Sequence, residues 1–348
     1  MRILVTGASS MLGSAAATAL RMRGDEVRVL QRRPSGLVGV DEHRGDITDP
    51  RVVRAATEGV DAVVHLAAKV SMTGPWRQFE HINIGGTATL LAAARAAGVT
   101  RFVHVSSPSV AHHGTGLVGA EAGAADPDRA RGHYARSKAS AELLALAADS
   151  PDFAVVAIRP HLVWGPGDTQ LVGRIVERAQ AGRLALVGQG TALIDTTYVD
   201  NAADALVAAL DRAPEAGVHG QAFVVTNGEP RTVYELIERI CFAAESAPPR
   251  LRVPVAAAKA GGTAVERLWS ALRRTEEPPM TRFLAEQLST AHWFDQRRTR
   301  EALRWSPQVT LDEGFVRLAA AYRQGSRPRG HQQDLGRHRP FGRDDDGG

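Results

Sequence analysis

Short apolar runs rich in β-branched residues recur through the first 160 positions, at Ile3–Val5, Val27–Leu30, Ala62–Leu66, Phe102–Val105 and Val155–Ile158. Stretches of helical spacing lie between them, near 12–23, 50–58, 76–97 and 133–148. Uninterrupted apolar strands suit a sheet buried on both faces, and their alternation with helices predicts right-handed βαβ units. The expected fold class is α/β, a doubly wound parallel sheet with a smaller, mainly helical C-terminal lobe. Later strands are expected at Leu193–Tyr198 and Ala222–Val225, with a helix over Asn201–Ala213. From Val233 to Gln324 the pattern is mostly helical, broken at Pro248-Pro249 and Pro278-Pro279. The expected division is a sheet domain over 1–232, which lends segments from about 160–195 to the lobe, then a lobe over 233–325. A tail rich in Arg, Gly and Asp follows over 326–348, and its composition predicts disorder.

Composition narrows the function classes. Of 348 residues, 44% are hydrophobic and 23% charged, as in an ordinary soluble globular protein. The net charge is +4, and five arginines lie in the tail, so the basic balance describes no nucleic-acid groove. One cysteine, Cys241, leaves no disulfide framework within the chain and no Cys-based zinc site, and no metal is expected. No apolar run approaches the roughly 20 residues that span a bilayer. The chain opens directly in a strand pattern without the features of a signal peptide, and a reducing, cytoplasmic location is expected.

The first strand runs into the turn Gly7-Ala8-Ser9-Ser10-Met11-Leu12-Gly13 and then a helix. Gly7 permits a backbone conformation closed to other residues, and Gly13 lets the helix pack closely on the sheet. Free amides at the helix start, with the positive end of its dipole, suit a pyrophosphate. At the head of a βαβ series this turn predicts a Rossmann-type dinucleotide site rather than a plain tight turn. The second strand ends Gln31-Arg32-Arg33, where an NAD site usually places an acid for the ribose 2′-hydroxyl. Guanidinium groups grip a 2′-phosphate, so NADPH is favoured over NADH; otherwise the two arginines are a solvated pair. Asp46, followed by Ile47, is placed to accept from an adenine amino group. The small residues of His65-Leu66-Ala67-Ala68 permit close approach to the cofactor.

Tyr134 and Lys138 stand four residues apart, on one face of a helix. A neighbouring ammonium favours phenolate, so the phenol pKa is expected to fall from about 10. A phenol so tuned exchanges a proton with a carbonyl oxygen as hydride arrives or leaves. Ser106-Ser107-Pro108-Ser109 follows the fifth strand, where a hydroxyl can bond the same oxygen. Alone, each of these is a surface pair or a turn former. Together, in order on successive βα units, they define a site at the carboxyl ends of the strands.

These motifs, with Asn83-x-x-Gly86-Thr87 and Arg159-Pro160, resemble the extended short-chain dehydrogenase/reductases over roughly residues 1–324. The resemblance implies that Ser107 orients the carbonyl, Tyr134 transfers the proton, Lys138 also holds the nicotinamide ribose and Asn83 supports the relay. It implies cofactor contacts from Thr87, Pro160, His161 and Val163 as well, and a homodimer. The family's central turn glycine is Ser10 here, which stands to crowd the pyrophosphate or replace a contact.

Sugar-nucleotide enzymes of the family usually continue Arg-x-x-Asn; this chain reads Arg159-Pro160-His161-Leu162, which argues against a diphosphate-sugar ligand. The segments Arg159–Asp168, Asp195–Asp204 and Pro279–Trp293 are similar to the 3β-hydroxysteroid dehydrogenase/isomerase branch, and within it to bacterial 2-alkyl-3-oxoalkanoate reductases of olefin biosynthesis. That similarity implies reduction of an apolar ketone, a long-chain 2-alkyl-3-ketoacid, to the secondary alcohol. A sterol-type 3-hydroxy dehydrogenase, a sugar-nucleotide epimerase and a non-catalytic NADP sensor remain as alternatives. Val265, Leu268, Trp269 and Leu272 share a helical face flanked by Arg267, Arg273 and Arg274. That face reads as lobe packing or as a peripheral membrane or pathway-enzyme contact. Arg274 and Arg282 read as surface charge or as partners for a substrate carboxylate.

Overall fold

The computed structural model describes residues 1–71, 73–112, 114–272 and 280–325. Seven strands form one parallel sheet: β1 (Arg2–Thr6), β2 (Glu26–Gln31), β3 (Asp41–Arg44), β4 (Ala62–His65), β5 (Arg101–Val105), β6 (Ala154–Pro160) and β7 (Gln221–Val225). Their order across the sheet is β7-β6-β5-β4-β1-β2-β3. The chain reverses direction between β1 and β4, and a crevice opens at such a switch point.

The two-residue period of the strands sorts their side chains between two cores. Ile3, Val5, Val29, Val103 and Ile158 face helices α1 (Met11–Met22) and, further along the chain, the helix Val199–Arg212. Leu4, Leu30, Val63, Phe102 and Val155 face the other three: α2 (Pro50–Thr57), α3 (Gly86–Ala96) and α4 (Gly132–Ala147). The strand runs anticipated from sequence fall on β1, β2, β4, β5, β6 and β7.

Three expectations change. The helix anticipated over 76–97 is interrupted: Trp76–Phe79 passes through a widened π turn at Glu80–Gly85 before α3 begins. Leu193–Tyr198 is two short strands in different sheets, Leu193–Ile194 and Thr197–Tyr198. Between them Asp195 turns its carboxylate inward to the backbone N–H groups of Gly228 and Glu229 and the Thr226 hydroxyl, at 3.0, 3.2 and 2.6 Å. The lobe also reaches further back than anticipated. Leu117–Ala120 joins a four-stranded sheet with Leu193–Ile194, Arg231–Thr232 and His292–Phe294. A third core gathers Trp164, Val172, Leu186 and Tyr198 with Ile237, Cys241, Leu311 and Phe315. Trp164 stacks on Phe315 with ring centroids 4.5 Å apart. The expected break at Pro278-Pro279 and the tail over 326–348 lie outside the described residues.

Candidate active site

The phosphate turn is built by close approach. Gly7 has φ +75°, and a Cβ there would stand 2.9 Å from the Ala67 nitrogen; a Cβ on Gly13 would stand 2.3 Å from the Gly7 carbonyl oxygen. Ser10 is accommodated where the family has glycine. Its φ is −83°, and its hydroxyl donates to the Gly7 carbonyl at 2.8 Å while accepting from the Gly13 N–H at 3.1 Å. The side chain is thus turned into the loop as the N-cap of α1. Ser9 is exposed, while Met11 and Leu12 are half-buried in the first turn of α1.

A chain of side-chain hydrogen bonds spans the switch point. The Thr6 hydroxyl oxygen accepts from the Leu66 and Ala67 N–H groups at 3.2 and 3.1 Å. With both lone pairs engaged, it donates its hydrogen to Nδ1 of His65, 2.8 Å away. Nε2–H of His65 then donates to Thr87 Oγ1 at 2.9 Å, and Thr87 donates to the Asn83 carbonyl at 2.6 Å. Burial pushes the His65 pKa down to about 3, which keeps the ring neutral. Thr87 is buried within this chain of hydrogen bonds.

Asn83, in the π turn, clamps the segment after β4. Its Oδ1 accepts from the Lys69 N–H at 2.6 Å; its Nδ2 donates to the Lys69 carbonyl at 3.2 Å and to Ser137 Oγ at 2.8 Å. Ser137 donates in turn to the Tyr134 carbonyl at 2.9 Å. Asn83 thus ties the β4 loop to the helix that carries Tyr134 and Lys138. The sequence reading missed Ser137; its signal was its place directly before Lys138.

Ser107, Tyr134 and Lys138 meet at the end of β5. Ser107 caps the short turn Pro108–Ala111 and accepts from the Ser109 hydroxyl at 2.9 Å and the Ser109 N–H at 3.3 Å, which leaves its own O–H to donate. Burial pushes the Tyr134 pKa up to about 12, against a smaller lowering by the neighbouring Ser107 hydroxyl. The expected lowering by Lys138 is not found, because the ammonium is directed at the Val105 carbonyl, 2.6 Å away. Burial brings Lys138 down to about 8, opposed by Glu142. Glu142, one turn beyond Lys138, pairs with Arg159 through hydrogen bonds of 2.8 and 2.5 Å, both residues 1% exposed. The sequence reading missed this pair too, although Glu142 lies at the i+4 spacing from Lys138 that signals one helix face.

Gln31 ends β2 with its amide buried and neither amide atom bonded to protein. A buried, unpartnered amide at this strand end fits the adenosine half of a dinucleotide, just as the glycine turn fits its pyrophosphate. Arg32 and Arg33 are exposed, with no bond to either recorded among the described residues. The positive charge of Arg32 helps lower the Asp46 pKa, although the backbone N–H of Thr48 contributes more. Asp46 Oδ1 accepts from the Thr48 N–H and hydroxyl at 3.0 and 2.8 Å. Ile47 packs under Gly86, where a Cβ would come within 2.7 Å. Leu66, Ala67, Ala68, Pro160 and Val163 are half-buried around the crevice, and His161 is 8% exposed, its Nδ1 donating to the Asp195 carbonyl at 2.6 Å.

Other candidates separate from this group. Arg282 pairs with Glu286 at 3.1 Å, Glu286 also binding Arg131; Arg273 and Arg274 lie outside the described residues. Leu268 and Leu272 are 51% and 55% exposed. No helix among the described residues is long and apolar enough to cross a membrane.

A neutral phenol near a serine hydroxyl, a buried lysine one turn away and a glycine turn suited to a pyrophosphate fit an NAD(P)-dependent oxidoreductase of the short-chain type. Residues 3–226 match the model of the NAD dependent epimerase/dehydratase family, and the chain belongs to that family. It is 42% identical to a 2-alkyl-3-oxoalkanoate reductase of Stenotrophomonas maltophilia (strain K279a), over 92% of this chain and 99% of that protein. It is 32% identical to a 3 beta-hydroxysteroid dehydrogenase/Delta 5-->4-isomerase of Mycobacterium tuberculosis (strain ATCC 25618 / H37Rv), over 92% and 90%. Among solved structures, MoeE5 in complex with UDP-glucuronic acid and NAD superposes with a TM-score of 0.70 at 25% identity, covering 93% of this chain and all of that one.

Proposed function

We propose that the protein reduces a long-chain 2-alkyl-3-oxoalkanoate to the 2-alkyl-3-hydroxyalkanoate with NADPH. One arrangement carries the reading: Ser107 directly follows β5, and the helix of Tyr134 and Lys138 sets the lysine on the last carbonyl of that strand, with burial keeping the phenol protonated. A phenol with a pKa near 12 is protonated at neutral pH and so has a proton to give a carbonyl oxygen. The names of the relatives support the substrate class.

A bound nicotinamide cofactor supplies the hydride. The amides of the Gly7–Gly13 turn would hold its pyrophosphate, Gln31 and Asp46 its adenosine, and Lys138 its nicotinamide ribose. Arg32 and Arg33 are free to take a 2′-phosphate, which supports NADPH over NADH. Ser107 donates its hydroxyl hydrogen toward the carbonyl oxygen, and Tyr134 delivers the proton. In this reading the sheet domain carries the cofactor and the lobe covers the substrate, in a cytoplasmic homodimer.

Incubation with NADPH and a synthetic 2-alkyl-3-ketoacid, read by mass spectrometry, tests the proposal. A product two mass units heavier is expected. Turnover of a 3β-hydroxysteroid or a UDP-sugar with no ketoacid product would overturn it. Arg32→Ala is expected to weaken NADPH roughly tenfold or more and to leave NADH little changed.

A further inference from the structure

The helix that carries Tyr134 and Lys138 begins without local support. Arg131 stands at the N-cap of α4 and makes no side-chain cap bond, and no acid lies in the first turn. Gly132, with φ +82° and open space around it, brings the chain in through a bend that glycine takes freely. A helix start of this kind leaves its first N–H groups without partners in the helix, and it frays. The body of α4 is different. Ala135, Ser137, Lys138 and Ala139 are buried, whereas Gly132 and His133 are exposed and Tyr134 is half-buried. Tyr134 therefore rides on the weak end of a well-packed helix.

Two contacts from outside the helix hold that end. Nδ1–H of His133 donates to the Gly74 carbonyl at 3.0 Å. Arg131 reaches into the lobe, where its guanidinium pairs with Glu286. Glu286 stands on a firm element. The helix Arg282–Gln287 is capped by Thr281, whose Oγ1 accepts from the Leu284 N–H at 2.9 Å, and its Ala285 is fully buried in a cluster with Val187 and Ala258. The Glu286 side chain is 9% exposed, and its other oxygen lies 3.1 Å from Arg282 Nε. The same stretch of lobe borders the Ser107 turn. Gln287 Nε2 stands 3.5 Å from Nδ1 of His112, the C-cap of Pro108–Ala111, and His292 Nε2 lies 3.2 Å from His112 Nε2.

The geometry points to Glu286 as a positioning residue. Through Arg131 it fixes the first turn of α4, and with it Tyr134, to the lobe helix that also meets the Ser107 turn. This deepens the reading of Tyr134 as the proton donor and rests on it. The pair adds little to stability, because the Arg131 side chain is 43% exposed and water screens it. Its weight lies in alignment: a displacement of about 1 Å at a reacting group costs up to about 10²-fold in rate.

Glu286→Gln keeps the size of the side chain and removes its charge. The variant is expected to lower kcat for a 2-alkyl-3-ketoacid roughly tenfold. NADPH affinity is expected to stay within about twofold of the parent and Tm within about 2 °C. Arg131→Met is expected to match that loss of kcat, and the double variant to lose no more than either single one, as for two residues that act as a unit. The solvent isotope effect on kcat is expected to grow, since proton transfer is the step that misalignment slows. Hydrogen exchange at the Ala135 and Arg136 amides, which close the first turn, is expected to quicken in Glu286→Gln. Unchanged kcat in both single variants, or losses that add in the double, would overturn the inference. Faster exchange in the variant, with no ketoacid turnover by the parent, would sink the substrate reading and leave the tie between Tyr134 and the lobe standing.

Discussion

The two halves of the molecule assemble their interiors in opposite ways. In the parallel sheet, each strand sends alternate residues to two faces, and each face is completed by helices that lie between the strands in the chain. The lobe gathers its core from stretches as distant as Trp164, Ile237 and Phe315, around strands of two to four residues. The first kind of construction fixes the groups proposed to react: Ser107 follows β5, and Tyr134 and Lys138 ride on one helix packed against the sheet. The second kind leaves the approach to them open to variation, because no single run of sequence defines it.

The sharpest way to break this division is at the phenol. Tyr134→Phe is expected to lower turnover about 10²–10⁴-fold while NADPH binding persists. A steady-state assay beside a cofactor titration checks it, and turnover that survives would move the proton donor out of the sheet half.

Next in size is the buried ion pair beneath Lys138. Glu142→Ala leaves the Arg159 guanidinium uncompensated at 1% exposure, with an expected loss of about 3–5 kcal/mol in urea unfolding. A loss below about 1 kcal/mol would show that the sheet half tolerates a lone charge, contrary to the tight packing argued for it.

The smallest effect tests the lobe through pH. Burial raises the Asp195 pKa to about 6 from an ordinary 3.8. The folded state therefore resists ionisation of this group. Its contribution to stability is fully present below about pH 4 and is lost as pH rises through about 6. Asp195→Asn removes that dependence. Its stability relative to the parent is expected to climb by about 2–3 kcal/mol between pH 4 and pH 7.5. Parallel urea curves for the two proteins at both pH values would show that Asp195 does not titrate in this window.

Much of the sheet half could be read in advance because its signals are local. Gly7 and Gly13, the strand runs and the Tyr134–Lys138 spacing each act within a few residues. What escaped depends on burial or on partners far along the chain. The phenol was expected to titrate lower because its lysine is near in sequence, yet the side chain of Lys138 turns to Val105 and desolvation prevails. Ser10 looked like an obstacle until its hydroxyl was seen to close the turn on itself. The bend at Asp195 answers to Gly228 and Glu229, more than thirty residues on, so an apolar run alone read as one strand.

The Thr6–His65–Thr87–Asn83 chain also restricts proton traffic. Every hydrogen in it has a fixed direction, and the imidazole faces a hydroxyl on either side, so it has no site at which to accept or release a proton. The floor of the crevice is insulated. In the proposed reaction, the proton that Tyr134 gives away is replaced from the open side, along the hydroxyls of Ser107 and Ser109.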